Sequence, residues 1–342
     1  MVHLFYIESY FHLLVVDQII RVKEISLDDC FFVTERGVQL PECYRDHLLY
    51  DGNSEGLFSR IKHYYSRKLN LKDYYGKEIC AYQPFQFYFP SKCYFAKYVF
   101  FEEGFSAYSS RQIPKEGRRN KRSITKEWIV RLMLPFARKN VKGIVGGISC
   151  ESNNPFETTL YRLSDNAYKG LEGEKSIKLE TVKAVNKPFE PSVIKDSMVV
   201  VMDRLTAQGR PFDDKVYLDV LVKAIEDCHD PKRKMYVKLH PADSRNKDAF
   251  ERIMVRLSAY SPELITENLE NLAVCNQNNV FLGSNSTVLY YAPILGDSNK
   301  SVSFARMLAQ KDEKYRTFLA NWGGTESFCE LFGKEVECLK LK

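Results

Sequence analysis

The chain has 342 residues, of which 44% are hydrophobic and 27% charged, and its formal net charge is +6. This length suffices for two ordinary domains, and the composition is typical of a soluble globular protein. So small a positive charge does not by itself indicate nucleic-acid binding, although clustered charge would suit an anionic partner.

The first half of the chain alternates strand patterns with helical patterns. Strands are predicted at 3–7, 30–34, 47–50, 79–83 and 98–101, and helices at 12–21 and 57–69. Strands that alternate with helices indicate βαβ units and a mostly parallel sheet. A basic loop at 111–126 follows. The apolar segment 128–139, with basic residues at its edge, is compatible with core packing or with an interfacial helix.

The pattern stops around 181–192, where Pro188 and Pro191 indicate an interdomain linker. It then restarts, with strands predicted at 198–202, 234–239, 264–266, 279–282 and 301–304 and helices at 214–227, 247–257 and 286–295. We therefore predict one domain at 1–185 and a second at 186–313. A helical tail at 314–342 is expected to pack back on the first domain.

The cysteines and histidines argue against disulfides and metal sites. Nine cysteines are spread singly without a CxxC pair, which indicates reduced thiols in a cytoplasmic protein. The six histidines have no metal-ligand spacing. The GxGxxG, GxxxxGK[ST] and GxSxG motifs are absent, and no stretch resembles a membrane span or a signal peptide. The sequence therefore predicts no metal and no cofactor.

Two predicted strands end in groups that can transfer a proton. Glu102 and Glu103 follow one strand, and His240 follows another, held before Pro241, whose ring restrains the backbone. Ligands bind at the carboxyl ends of strands in open α/β sheets. A carboxylate in one half and a histidine in the other therefore predict a cleft where a base faces an acid. An exposed turn and a packed histidine are the structural alternatives.

A polar turn precedes the helix predicted at 286–295. The segment Gly283-Ser284-Asn285-Ser286-Thr287 would offer hydroxyl and amide donors to a phosphate at a helix N-terminus. Helix capping by Ser284 or Asn285 explains the composition nearly as well. Because side chains alternate along a strand, Lys238 lies on the same strand face as His240.

Basic residues cluster in the first half, in the helix at 57–69 and in the loop at 111–126. They would line a track for a polyanion or meet acidic lipid, whereas a solvated helix face and a disordered loop are the structural alternatives. The positions that we single out for contact with such a partner are Arg60, Lys62, His63, Arg67, Lys68, Arg118 and Arg119.

In this order, the segments resemble the motifs of bacterial sialyltransferases with the GT-B fold, in particular capsular polysialyltransferases. Glu102-Glu103-Gly104 resembles their acidic-acidic-glycine motif, Lys238-Leu239-His240-Pro241 their His-Pro motif, and Ser286-Thr287 their paired serine/threonine motif. The opening Glu8-Ser9-Tyr10-Phe11-His12-Leu13-Leu14 resembles the first strand-turn-helix of lipooligosaccharide and capsule enzymes, with Tyr10 where those have proline.

The resemblance implies an α/β GT-B fold with two facing Rossmann-like domains and a cleft between them. The domain at 1–185 would bind the acceptor, and the domain at 186–313 would bind the CMP-sugar donor. It also implies inverting, metal-independent transfer of sialic acid from CMP-sialic acid. Glu102 would take the proton of the acceptor hydroxyl, with Glu103 as a structural neighbour, and His240 would stabilise or protonate the departing phosphate. The donor-binding residues would be Ser284, Ser286, Thr287, Gln208, Lys238, Glu267 and Glu270, and Ser9 and His12 would join the acceptor side.

The acceptor implied is an oligo- or polysialic acid chain in capsule synthesis, which gives the basic clusters a use. A cytoplasmic enzyme, peripheral on the inner face of the cytoplasmic membrane and in contact with other capsule-synthesis proteins, is compatible with this. Nucleic acid is not an expected partner. The alternatives are a lipooligosaccharide sialyltransferase adding one sialic acid to galactose, a GT-B transferase with another nucleotide donor, and a basic nucleic-acid-binding protein.

Overall fold

A computed structural model provides the coordinates of the chain. It describes residues 1–35, 37–52, 72–74, 76–84, 88–90, 94–102, 104, 107, 137–139, 158–168, 177–183, 192–205, 211–240, 243, 246–275, 277–331, 333 and 336–341. These residues divide into two compact units, Met1–Ala184 and Val185–Lys342.

The first unit is built on a parallel sheet. Its strands are β1 (Val2–Ile7), β2 (Cys30–Glu35), β3 (Leu48–Gly52), β4 (Glu78–Gln83), β5 (Tyr88–Pro90), β6 (Tyr94–Phe101), β7 (Ala137–Lys139), β8 (Thr158–Arg162) and β9 (Ile177–Thr181). Seven of them form the sheet in the order β3-β2-β1-β4-β6-β8-β9, and β5 and β7 form a separate antiparallel pair. Among the described residues of this unit, the α-helices are α1 (Tyr10–Val22) and the single turn α2 (Glu42–Arg45).

The sequence of the first βα unit explains why it is buried. β1 and β2 are nearly continuous apolar runs, as is typical of parallel strands covered on both faces, and Phe5 and Phe32 are fully buried. Ser9 caps α1, since its Oγ accepts a hydrogen bond from the His12 backbone amide at 3.2 Å. Every residue of α1 from 11 to 20 is buried, so the helix belongs to the core.

The second unit contains a six-stranded parallel sheet. Its strands are β10 (Met198–Val201), β11 (Met235–Lys238), β12 (Glu263–Leu264), β13 (Val280–Gly283), β14 (Lys300–Ser303) and β15 (Val336–Cys338), in the order β12-β11-β10-β13-β14-β15. The helices are α3 (Asp214–Cys228), α4 (Lys247–Arg256), α5 (Leu269–Val274), α6 (Thr287–Leu295), α7 (Ala305–Lys311), α8 (Glu313–Ala320) and α9 (Thr325–Leu331). Among the described residues, no helix is both long enough and apolar enough to cross a membrane.

Each sheet has a point where the strand order changes direction. The chain runs from β1 outward through β2 to β3 and then returns to place β4 on the other side of β1. In the second sheet it runs from β10 through β11 to β12 and then returns with β13 on the other side of β10. In open α/β sheets, ligands bind in the crevice at the carboxyl ends of the two strands that flank such a switch point.

The predicted fold class is confirmed: the chain forms two Rossmann-like α/β domains with parallel sheets. Several segments differ from expectation, among them the tail and residues 137–139. The tail adds strand β15, which pairs with β14, to the predicted helices; three residues are too few to display a strand period. Strand β7 occupies 137–139, so the alternative of an interfacial helix over 128–139 is wrong at its carboxyl end. The packing of the tail against the first domain stays a prediction.

Candidate functional site

Glu102 lies where it was expected, directly after β6 at the carboxyl end of the first sheet. Its backbone amide donates to the Tyr161 carbonyl at 3.0 Å, which continues the ladder between β6 and β8. Its Oε2 accepts a hydrogen bond from the Leu163 amide at 2.9 Å, and the residue is 0% exposed. The carboxylate is therefore held in a defined direction, and the exposed-turn interpretation of Glu102 is wrong. Glu103 lies outside the described residues.

Ser9 and His12 belong to the turn between β1 and α1. Ser9 caps the helix, and the Nδ1 atom of His12 accepts a hydrogen bond from the Glu8 backbone amide at 3.2 Å. The His12 ring also meets the Phe101 ring edge-on, with 5.6 Å between centroids. This places His12 against the strand that carries Glu102. The contacts explain how the turn is held, and the acceptor-binding role of both residues stays a prediction.

His240 lies two residues beyond β11 at the carboxyl end of the second sheet, and it is partly buried. Burial lowers its pKa from the ordinary value of 6.5, and nearby Arg204 lowers it further, whereas the negative charge of Asp243 acts in the opposite direction. The Asp243 amide donates to the His240 carbonyl at 2.8 Å, and the Asp243 Oδ2 accepts from the Leu205 amide at 2.5 Å. Asp243 thus ties the loops after β10 and β11 together.

Lys238 and Glu267 are engaged in fixing the loop after β12. The Lys238 Nζ donates to the carbonyls of Thr266 at 3.0 Å and Glu267 at 2.6 Å, and burial lowers its pKa. The Glu267 carboxylate accepts from Ser192 Oγ at 2.9 Å and from Asn271 Nδ2 at 3.1 Å. Lys238 and Glu267, both predicted to bind the sugar donor, therefore hold the loop in place through their own hydrogen bonds. Their contact with a nucleotide stays a prediction.

Glu270, the other predicted ribose contact, lies in the first turn of α5. Burial raises its pKa, while a hydrogen bond with Tyr291 and the charge of Lys238 act in the opposite direction. Contact of Glu270 with a ribose hydroxyl stays a prediction.

The turn before α6 leaves two side-chain hydroxyls partly exposed at the helix N-terminus, and its phosphate-binding role stays a prediction. Ser286 is the N-cap residue of α6, yet its side chain makes no capping hydrogen bond, and Ser286 and Thr287 are both partly exposed. Ser284, the alternative cap, is instead buried and directed elsewhere. Neither Ser284 nor Ser286 therefore caps α6 through its side chain, whereas capping by Asn285 stays an open alternative. The hydroxyls of Ser286 and Thr287 lie beside the amide donors of the helix N-terminus.

Asp203, which no sequence motif singles out, lies two residues after β10 and forms a hydrogen bond with Ser284, which follows β13. The Ser284 Oγ donates to the Asp203 carboxylate, and the Asp203 amide donates to the Tyr217 hydroxyl at 3.1 Å. Burial raises the pKa of Asp203 to about 6, against hydrogen bonds from Ser284 and Tyr217 that favour the ionised form. The pair joins the two strands that flank the second switch point.

Gly283 is required where β13 enters this turn. A Cβ atom at position 283 would lie 3.1 Å from the Val201 carbonyl oxygen and 3.4 Å from the Leu289 side chain. On the other flank, Ser303 Oγ donates to the Ser284 carbonyl at 2.7 Å. The turn is thus fixed from β10 on one side and from β14 on the other.

A pocket of about 550 Å³ opens beside Lys238 in the second unit. It is lined by Lys238, Leu239, Lys247, Phe250, Leu264, Ile265 and Thr266. Two lysines at the edge of an apolar surface suit a ligand that has an anionic group and a planar or apolar body, and the volume is typical of small-molecule sites.

The remaining site predictions lie outside the described residues. They are Gln208 on the donor side and Arg60, Lys62, His63, Arg67, Lys68, Arg118 and Arg119 on the acceptor side. Within the described part of the chain, no group of three or more His, Cys, Asp or Glu side chains is arranged to hold a metal ion.

Comparison with known proteins gives likenesses of fold. No protein-family model matches the sequence, and no curated protein matches it. The structure is similar to a 2,6-sialyltransferase from a Photobacterium species in a ternary complex with CMP and lactose, with a TM-score of 0.50, 11% identity, and coverage of 98% of this chain and 78% of that one. It is also similar to a putative UDP-N-acetylglucosamine 2-epimerase from Listeria monocytogenes, with a TM-score of 0.50, 11% identity, and coverage of 97% and 90%.

A third similar structure is the GT-B domain of a sialyltransferase from Photobacterium damselae, with a TM-score of 0.48, 11% identity, and coverage of 99% and 100%. The chain has the GT-B fold that the sequence predicted. Because the similar structures include both a sialyltransferase and an epimerase, the fold alone does not select a donor or a reaction.

Proposed function

We propose that the protein is an inverting, metal-independent sialyltransferase. It would move sialic acid from CMP-sialic acid to the non-reducing end of an oligo- or polysialic acid chain in capsule synthesis. The observation that carries this proposal is the placement of Glu102 and His240. Each lies at the carboxyl end of its own parallel sheet, with a fixed backbone environment.

In the proposed reaction, Glu102 takes the proton of the acceptor hydroxyl as that oxygen attacks the anomeric carbon of the donor. The bond between the anomeric carbon and the phosphate oxygen breaks, and CMP leaves with the electron pair. The hydrogen bond from the Leu163 amide fixes the direction of the Glu102 carboxylate, which favours a defined proton path.

On the donor side, His240 would donate a proton or a hydrogen bond to the leaving phosphate. Its lowered pKa means that the imidazole is neutral in the free protein near pH 7. A phosphate dianion nearby would favour the protonated form and so raise this pKa. Ser286 and Thr287 would bind the same phosphate, assisted by the amide donors at the start of α6.

The decisive experiment is incubation of the protein with CMP-sialic acid and a labelled oligosialic acid primer, read by product length. Glu102→Gln and His240→Ala should each lower transfer by at least about 100-fold, the contribution typical of a general base or acid, without loss of folding. His229→Ala and Glu180→Gln are matched controls, since His229 lies in the second unit and Glu180 on β9. Normal transfer by both Glu102→Gln and His240→Ala would exclude this mechanism.

The same assay separates the alternative acceptors and donors. Addition of a single sialic acid to a galactose-terminated acceptor, with no extension of the primer, would indicate a lipooligosaccharide sialyltransferase. Because the fold also occurs in a protein named as a UDP-sugar epimerase, binding of CMP, CDP and UDP should be compared. Preference for a uridine nucleotide would replace the sialyltransferase proposal with a different donor.

A further inference from the structure

Gln83 occupies the switch point of the first sheet. It is the last residue of β4, the strand that lies between β1 and β6. Pro84 follows it, and a residue before proline is held in the extended conformation. The chain therefore fixes an amide side chain at the edge where ligands bind in sheets of this kind.

The side chain of Gln83 is fully buried and makes no hydrogen bond to any of the described residues. The residue is 0% exposed, and within the described part of the chain neither its Oε1 nor its Nε2 atom makes a hydrogen bond. The register of β1 and β4, continued by one residue, places Tyr6 beside Gln83. The Tyr6 hydroxyl, however, donates its hydrogen bond to Glu8 Oε1 at 2.8 Å. An unpaired buried amide costs free energy, so its retention calls for an explanation by function or by a bound molecule.

Gln83 lies on the same face of the sheet as Glu102. The register pairs Gln83 with Phe100 on β6, and Glu102 follows Phe100 by two residues. Because side chains alternate along a strand, Phe100 and Glu102 share a face, and strand geometry places the Cα atoms of Gln83 and Glu102 roughly 8 Å apart. Both residues are 0% exposed, so a ligand needs a local rearrangement of this edge to reach either of them.

We propose that Gln83 binds the acceptor sugar next to the hydroxyl that Glu102 deprotonates; this rests on the proposed function. An amide donates through Nε2 and accepts through Oε1. It can therefore bind a carboxylate or an acetamido group of a sialic acid as well as a neighbouring hydroxyl. In the complex, Nε2 and Oε1 would gain the hydrogen bonds that they lack among the described residues of the free protein. Gln83 would then increase the affinity for the acceptor while it lowers the stability of the free protein.

The test is the substitution Gln83→Met, which keeps the shape of the side chain and removes its polar atoms. The KM for the labelled oligosialic acid primer should rise about tenfold, the factor that corresponds to 1.4 kcal/mol of binding. The KM for CMP-sialic acid should stay within about twofold, and the melting temperature should not fall, because an unpaired polar group has been removed. Gln83→Leu, assayed in the same way, guards against a fault specific to methionine.

Gln18 supplies the matched control. It is also 0% exposed in the first unit, but its Nε2 donates to Asp17 Oδ2 at 3.4 Å. Gln18→Met should therefore lower the melting temperature and leave the primer KM unchanged. An unchanged primer KM in both Gln83 variants, with wild-type protein that transfers sialic acid, would overturn this inference alone. Absence of transfer by the wild type would overturn the proposed function and this inference with it.

Discussion

Asp203 and His240 are two titratable residues that burial shifts toward their neutral forms. The pKa of Asp203 rises to about 6 and that of His240 falls below its ordinary value. Both residues follow strands that are adjacent in the second sheet, β10 and β11. Burial therefore disfavours the carboxylate form of Asp203 and the imidazolium form of His240.

The titration of His240 should respond to nucleotide. In the free protein we expect a pKa below 6.5, and with saturating CMP we expect a higher value, since phosphate stabilises the imidazolium. The measurement is an NMR pH titration of the histidine ring protons, with His240→Ala used for assignment. The ring protons of His229, which is hydrogen-bonded to the Arg233 carbonyl, provide an internal control. A His240 titration that CMP leaves unchanged would mean that the imidazole does not meet the phosphate.

Asp203 should make the free energy of unfolding fall as pH rises. Native Asp203, with a pKa of about 6, holds its proton more tightly than the unfolded chain, where the ordinary value is 3.8. Its contribution is therefore fully present below 3.8 and lost as pH rises through about 6. Between about pH 4 and about pH 7 the loss from this residue alone should be about 2 kcal/mol.

The variant Asp203→Asn isolates this contribution, because an amide oxygen can still accept from Ser284 but does not titrate in this range. The free energy of unfolding should be measured by urea at both pH values. The difference between variant and wild type should be about 2 kcal/mol more favourable to the variant at the higher pH than at the lower. Parallel pH profiles for the two proteins would show that Asp203 titrates normally.

At the scale of secondary-structure elements, two helices of the second unit begin in different ways. The Asp213 side chain accepts from the Lys215 amide at 2.9 Å and the Val216 amide at 3.2 Å, so α3 has a conventional cap. Ser286 makes no such bond at the start of α6. The contrast allows the ligand-binding and helix-stabilising roles of an N-terminal side chain to be separated by experiment.

Ser286→Ala and Thr287→Val should each weaken CMP binding by about tenfold, the loss expected for one hydrogen bond to a charged phosphate. The melting temperature should change little, because no capping bond of Ser286 is removed. In the control, Asp213→Ala should destabilise the protein by about 1 kcal/mol and leave CMP affinity unaltered. Calorimetric titration with CMP and a thermal melt measure both. Destabilisation by Ser286→Ala without loss of affinity would make Ser286 a structural cap.

Most of the apolar strands could be predicted from the sequence, but the side-chain hydrogen bonds between the loops that follow them could not. β10 was recognisable because Met198–Val201 is a continuous apolar run, and α3 because its apolar residues recur at helical spacing. β8 and β9 were missed, since Thr158–Arg162 and Ile177–Thr181 mix polar and apolar residues over only five positions. Asp203 was missed because its hydrogen-bond partner Ser284 lies 81 residues away.

At the scale of the whole molecule, the basic clusters of the first half should make the KM for the acceptor depend on the length of the acceptor chain. Simultaneous Arg60→Gln, Lys68→Gln, Arg118→Gln and Arg119→Gln should raise the KM for long oligosialic acid primers more than for short ones, because a long polyanion meets more of the charge. The dependence should weaken as salt screens the interaction. Primer-length series of initial rates measure the effect.

The matched control removes the same formal charge from the second unit. Lys215, Lys232, Lys311 and Lys314 are exposed. Their joint substitution by glutamine should leave the dependence on primer length unchanged. Equal effects of the first-half substitutions on short and long primers would mean that those basic residues form no acceptor track.

Position 283, at the second switch point, has little room for a residue larger than glycine. Any side chain at position 283 would press on the Val201 carbonyl, and β10 and β13 would have to part by a few tenths of an ångström to admit it. That movement would draw Ser284 away from Asp203, since the two residues lie on opposite sides of the same gap. The hydrogen bond between Ser284 and Asp203 thus depends on the absence of a Cβ atom at position 283. The smallest insertion of volume there would alter the chemistry of residues that it never touches.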